Sequence, residues 1–143
     1  MALEGKVCIV VGASTGIGRA IAIRCGKEGA NVVLCARRKH LLDSLAEEVG
    51  RNATVKPMDV TNREQVEARI SEIYKEFSRV DVLIYASSIF TFSLVKNKQF
   101  DEWHKMIATN CQIENDFVFR AWWMSLHRYF PKCETEIKRE TLL

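Results

Sequence analysis

No stretch of this sequence holds about twenty consecutive apolar residues, the length a helix needs to cross a bilayer, so no membrane-spanning helix is expected. The amino terminus, Met-Ala-Leu-Glu-Gly-Lys, lacks the apolar core of a secretory signal. Charge of one sign is also in short supply. The 21 Lys and Arg residues against 18 Asp and Glu leave a net +3, too little to predict a nucleic-acid or membrane-surface partner. His40, His104 and His127 are scattered, which gives no zinc-site spacing. The five cysteines (Cys8, Cys25, Cys35, Cys111 and Cys133) are odd in number and include no Cys-x-x-Cys pair. Cys8 and Cys35 fall within apolar runs, where a thiol serves as a small buried hydrophobe. All five are expected to be reduced thiols of an intracellular protein, with the cytoplasm as the default address.

What is present fits one globular domain. A chain of 143 residues, 48% hydrophobic and 27% charged, is large enough to bury about two-thirds of its unfolded surface. Val7 to Val11 is a short, continuous apolar run, as in a strand buried on both faces. From Gly16 to Gly29 the residues Ile17, Ala20, Ile21 and Cys25 predict one apolar helical stripe, with Gly29 at the stop. Asn31 to Ala36 predicts a second strand. Leu41, Leu42, Leu45 and Val49 predict a second helix, closed by Gly50. A weaker strand is expected from Ala53 to Met58. Val66, Ile70, Ile73 and Phe77 then step by four, three and four, the clearest helical period in the chain. Asp81 to Tyr85 is a fourth buried strand, and about Phe100 to Phe130 is expected to be helical. This alternation predicts an α/β fold of Rossmann type: a doubly wound parallel sheet of about four strands with helices on both faces. From Lys132 to Leu143 charges of both signs replace apolar residues, so residues 131–143 are expected to form a loose tail beyond a domain of residues 1–130.

The most informative motif joins the first strand to the first helix: Gly12-Ala13-Ser14-Thr15-Gly16-Ile17-Gly18. A pyrophosphate needs backbone to approach it closely, and glycine has no Cβ to obstruct it. The helix amino terminus beyond the loop offers free N–H groups and a positive dipole end, and Ser14 and Thr15 add hydroxyl donors. A ligand-free glycine turn would look similar in isolation. The buried strand before the loop and the amphipathic helix after it favour a dinucleotide.

Gly-x-x-x-Gly-x-Gly, set in Val-Val-Gly-Ala-Ser-Thr-Gly-Ile-Gly-Arg-Ala-Ile-Ala, resembles the short-chain dehydrogenase/reductase family, and the match runs in register from about Gly5 to about Phe130. That is little more than the first half of the family's length, so the chain reads as a member cut short after its cofactor-binding half. The resemblance implies a nicotinamide dinucleotide and hydride transfer between carbonyls and alcohols. An acidic residue at the end of the second strand would hold the ribose of NAD and repel a 2′-phosphate. Here Ala36 is followed by Arg37, Arg38 and Lys39, which predicts NADP(H), with Arg37 as the leading contact and Arg38 beside it. Cations at a helix amino terminus oppose its dipole, a conflict that a bound phosphate relieves. Asp59, followed by Val60, resembles the family's adenine-contacting aspartate; capping of the third helix by Asp59 or Thr61 is compatible with that role.

The pattern fails further on. In the family the fourth strand ends Asn-Asn-Ala-Gly, whereas this chain has Tyr85-Ala86-Ser87-Ser88. Ser88 thus puts a side chain where backbone and cofactor come close, while its N–H stays available. Asn110 resembles the family asparagine that holds a helix irregularity and a water of the proton relay. The family's acid/base tyrosine requires a lysine four residues on, one helical turn away. Four residues beyond Tyr74, Tyr85 and Tyr129 stand Ser78, Ile89 and Cys133, so the pair is absent, as is the family's serine. Tyr129 with Lys132 is no substitute, because Pro131 intervenes and the spacing is wrong. The family's last matched helix helps form subunit contacts. Phe117, Phe119, Trp122, Trp123, Leu126 and Phe130 therefore make residues 110–130 the expected site of homo- or hetero-oligomer formation.

Overall fold

A computed structural model describes residues 1–91 and 100–112 of the chain. Its elements run β1 (Val7–Val11), α1 (Gly16–Lys27), β2 (Asn31–Ala36), α2 (Lys39–Val49), β3 (Ala53–Pro57), α3 (Arg63–Phe77), β4 (Val82–Tyr85) and α4 (Phe100–Ile107), followed by a π-helical segment at Ala108–Gln112. The four strands form one parallel sheet in the order β3-β2-β1-β4. Parallel neighbours need crossovers, and the helices between the strands supply them.

Although β1 is apolar at every position, its residues divide between two layers. Val7, Ile9 and Val11 pack with Val66, Ile70 and Ile73 of α3. Cys8 and Val10 face the other way, toward Ala22 and Cys25 of α1 and Leu42 and Leu45 of α2. Helices therefore cover both faces, as a doubly wound sheet requires. Each fully buried Leu or Ile contributes about 1.5–3 kcal/mol by leaving water. The two central strands are accordingly buried, while β3 and β4, at the margins of the described sheet, are only partly so.

The apolar stripe expected on α1 is corrected by the structure. Gly18, Ala22 and Cys25 face inward, Ile21 is half-buried, and Ile17 is 76% exposed. The cause is backbone packing. A Cβ on Gly18 would lie 2.3 Å from the Gly12 carbonyl oxygen, so the helix seats its glycine side and turns Ile17 outward.

Other boundaries shift by one residue. β3 stops at Pro57, and β4 begins at Val82 because Asp81 has a different task. The Asp81 carboxylate accepts from Val7 N at 2.8 Å and from the Arg79 guanidinium, bracing the start of β1. Cys8, Cys25 and Cys35 are buried free thiols, and burial pushes Cys8 and Cys35 up to about 12, so neither ionises near neutral pH. Cys111 is exposed, and Cys133 lies outside the described residues. The helix expected from Phe100 changes to π form at Ala108, and its continuation to Phe130 and the tail lie outside the described residues. Among the described residues no helix is long and apolar enough to cross a membrane, and no group of histidine, cysteine and carboxylate side chains is placed to hold a metal ion.

Candidate functional site

The chain leaves β1 into the glycine loop, and the three glycines prove to have different tasks. Gly12 has φ +83°, and a Cβ there would sit 2.6 Å from the Ala86 carbonyl and from Ser87 N. Its absence lets the exits of β1 and β4 touch, tied by Ala86 N donating to Val11 O at 2.8 Å. Gly12 N and Ala13 N both donate to Cys35 O, at 2.8 and 3.1 Å, which binds the turn to β2 as well. Gly18 packs beneath Gly12. Only Gly16, at φ +60°, opens onto space: a Cβ there would meet nothing within 4 Å. At Gly12 and Gly18 the missing Cβ thus makes room for other backbone, and at Gly16 it faces open space.

Above the loop lies a cavity of about 390 Å³ at the carboxyl ends of the strands. Its walls come from residues 12 and 14–17, 36–38 at the end of β2, 58–61 after β3 and 86–89 after β4, with Thr109 closing one side. The strand order reverses between β1 and β4, and open α/β sheets bind ligands at such a switch point. Gly12, Ser14, Thr15, Gly16, Ile17, Arg37, Arg38, Asp59, Val60 and Ser88 all line this cavity. Gly18 and Asn110 do not.

Asn110 instead clasps the chain after β4. Ile89 N donates to its Oδ1 at 3.0 Å, and its Nδ2 donates to Ile89 O at 2.9 Å. This closed pair spans 21 residues and holds the π segment against the cavity wall. Tyr85 Oη adds a second tie, donating to Thr109 O at 3.3 Å. Met58 and Ala86, and with them Thr61, Ser87, Ile89 and Thr109, line the cavity without being among the expected binding residues. The first two directly follow β3 and β4, so parallel register could have indicated them, whereas Thr109 is brought in only by the π segment.

The rim of the cavity is polar and cationic. Arg38 Nη2 donates to Ser14 Oγ at 3.1 Å and to Thr15 Oγ1 at 3.2 Å. Helix α1 has neither a side-chain cap nor an acidic residue in its first turn, so its amino-terminal N–H groups and dipole remain available. Arg37 is exposed, and its charge acts on Asp59. Burial by itself would raise the Asp59 carboxyl. Hydrogen bonds from Thr61 Oγ1 at 2.7 Å and Thr61 N at 2.9 Å, with the nearby Arg37, outweigh that and hold it below the usual carboxylate range. Neither Asp59 nor Thr61 caps α3. Asn62 does so, its Oδ1 accepting from Gln65 N at 3.0 Å, while Gln65 Oε1 accepts from Asp59 N. Backbone donors, two hydroxyls and two guanidinium groups around one cavity suit a ligand carrying phosphate.

A family model for short chain dehydrogenase matches residues 6–112. The chain belongs to the short-chain dehydrogenase family. Among its relatives, the glycine betaine reductase of Emericella nidulans is 40% identical over 113 residues, covering 77% of this chain and 9% of that protein. An uncharacterized oxidoreductase of Staphylococcus haemolyticus is 32% identical over 135 residues, covering 94% of this chain and 55% of the relative. The crystal structure of an actinorhodin polyketide ketoreductase with NADPH superposes with a TM-score of 0.82 at 26% identity, covering 90% of this chain and 51% of that one. The chain thus spans about half the length of the staphylococcal relative and of the ketoreductase. Its fold and family are those of the short-chain dehydrogenases, and an NADPH-bound ketoreductase shares that fold.

Proposed function

We propose that the chain binds NADP(H) as the cofactor-holding part of a carbonyl/alcohol oxidoreductase, and that its 143 residues by themselves do not turn substrate over. The observation that carries the cofactor choice is the end of β2. Ala36 stands where a carboxylate would repel a 2′-phosphate, and Arg37 and Arg38 follow it on the cavity rim beside Ser14 and Thr15. A guanidinium grips a phosphate through paired N–H donors, so this rim favours the phosphorylated cofactor. The NADPH-bound ketoreductase supports the same reading.

The remaining assignments follow from the cavity. Gly16 and the α1 amino terminus receive the pyrophosphate, with Ile17 beside them. Asp59 and Val60 border the adenine side, and Ser88 borders the β4 side with its N–H. Gly12 and Gly18 hold the loop in shape. When bound, the nicotinamide supplies or accepts a hydride. The chain's own residues bind and orient it, and Asn110 shapes the wall through Ile89. The family's tyrosine–lysine pair is absent from the sequence, so no side chain here performs its proton transfer. We assign the binding unit to residues 1–130 and the cytoplasm as its compartment.

Fluorescence transfer from the tryptophans to NADPH, with NADH in parallel, tests this reading. Saturable binding with NADPH preferred is expected, abolished by Gly16→Asp and weakened roughly tenfold by Arg37→Ala. Equal or tighter binding of NADH overturns the NADP(H) assignment, and turnover of a carbonyl by the chain alone overturns the inactive reading.

A second reading is association with a copy of itself or a full-length homologue through residues 110–130. The observation favouring it is the exposed stripe of Phe100, Trp103 and Ile107 at i, i+3 and i+7 on α4, which leads into that segment. Co-elution with a full-length homologue on size-exclusion chromatography is expected; elution as a monomer in its presence removes this reading.

A further inference from the structure

Arg37 and Arg38 are adjacent in sequence, yet the structure uses them differently. Arg37 is exposed at the cavity rim, its charge directed on Asp59. Arg38 reaches back across the turn to the glycine loop, over 24 residues to Ser14 and 23 to Thr15. Both contacts come from one nitrogen, Nη2, whose two hydrogens are matched by two hydroxyl acceptors. A guanidinium has donors only, so each hydroxyl must accept from it. A hydroxyl that accepts on one side has its own hydrogen to give on another. Ser14 and Thr15 both line the cavity, so their hydrogens are available to an acceptor placed there.

We propose that Arg38 is a positioning residue for the cofactor's 2′-phosphate, acting through Ser14 and Thr15, while Arg37 supplies the direct charge. The inference rests on the NADP(H) reading and deepens it. By occupying the acceptor side of both hydroxyls, Arg38 commits them as donors before the phosphate arrives. Pre-orientation of this kind lowers the ordering cost of binding. Ser14, only 8% exposed, has little freedom to find another partner. A lysine cannot reproduce the arrangement, because its ammonium is a point charge without the planar fork.

The test is a binding cycle on the full chain, with NADPH and NADH as probes and Arg38→Ala, Arg38→Lys, Arg37→Ala and the pair Ser14→Ala/Thr15→Val as variants. Arg38→Ala and the hydroxyl pair are each expected to weaken NADPH roughly tenfold more than they weaken NADH. A far-ultraviolet circular dichroism spectrum and a urea midpoint like those of the unsubstituted chain show that each variant is folded. Combining Arg38→Ala with the hydroxyl pair is expected to cost no more than the worse of the two, since both remove one device. Combining Arg38→Ala with Arg37→Ala is expected to multiply the losses. Arg38→Lys is expected to behave as Arg38→Ala. Multiplying losses between Arg38 and the hydroxyls would mean that Arg38 contacts the phosphate directly, and would overturn the proposal. So would a lysine variant with the unaltered preference, because charge alone would then suffice. If the unsubstituted chain does not prefer NADPH, the NADP(H) reading fails and this inference with it. If the preference is present but the cycle is additive, only the inference fails.

Discussion

The centre of the sheet and its β4 flank are built to different standards. Every residue of β1 and the four inner residues of β2 are buried, with helices on both faces and a paired strand on each side. All four residues of β4 are only half-buried, and among the described residues β4 pairs with β1 alone. The difference shows in how each region is held. The centre relies on apolar burial, which is non-directional and tolerates small adjustments. The flank relies on a few directed contacts: Gly12 against Ala86 and Ser87, Asn110 around Ile89, and Tyr85 to Thr109. The candidate cavity lies where the two meet. Its glycine-loop side rests on the well-packed centre, whereas its opposite wall depends on the flank.

Substitutions can sharpen or break this contrast, and the largest effect is expected where the two regions touch. Gly12→Ala would force a Cβ to 2.6 Å from backbone at a positive φ, which predicts a loss of about 4 kcal/mol or more in urea-induced unfolding. Gly16→Ala, with open space around it, should cost only about 1–2 kcal/mol of backbone strain in the same measurement. Equal losses would show that the glycines do not differ as described.

Next comes the centre against the flank. Leu34→Ala in β2 is expected to cost about 3 kcal/mol and Ile84→Ala in β4 about 1, read from denaturation midpoints. Comparable values would mean that β4 is as tightly held as β2. Asn110→Ala removes both bonds to Ile89 and is expected to cost about 1–2 kcal/mol. Faster amide hydrogen exchange at Ile89, with β1 amides unchanged, would confine that loss to the flank.

The smallest effect concerns pH. Asp81 is held below its ordinary 3.8, first by the hydrogen bond from Arg79, with burial opposing and Val7 N assisting. A depressed native value means that the unfolded chain binds the proton more readily. The stabilisation is therefore complete above the unfolded value and is lost as pH falls through 3.8 toward the lower native one. Asp81→Asn should flatten the acid limb of a stability-versus-pH curve in that range and leave its neutral region flat.

Much of the fold was legible from local pattern. Buried runs such as Val7–Val11 and stepped positions such as Val66, Ile70 and Ile73 reveal strands and helices because burial repeats with backbone geometry. Most of the glycine loop, the Arg37–Arg38 pair and Asp59 were legible as cavity walls, since each lies at or beside a strand end. The orientation of α1 was not. A periodicity argument weighs side chains, and Gly18 directs that helix by having none. The cap of α3 was missed because Asp59, Thr61 and Asn62 are all competent caps, and only the path of the turn selects among them.

The sequence by itself determined the order of the elements, the apolar centre and the positive charge at the end of β2, because each follows from residues close together in the chain. Tertiary structure alone decided that Arg38 answers to Ser14 and Thr15, that Asn110 holds Ile89, and that Gly12 and Gly18 serve backbone packing while Gly16 stays open. Those relations are directional or steric and, apart from the packing within the loop itself, span twenty residues or more, so no local pattern encodes them. They exist only once the sheet has set the strand ends side by side.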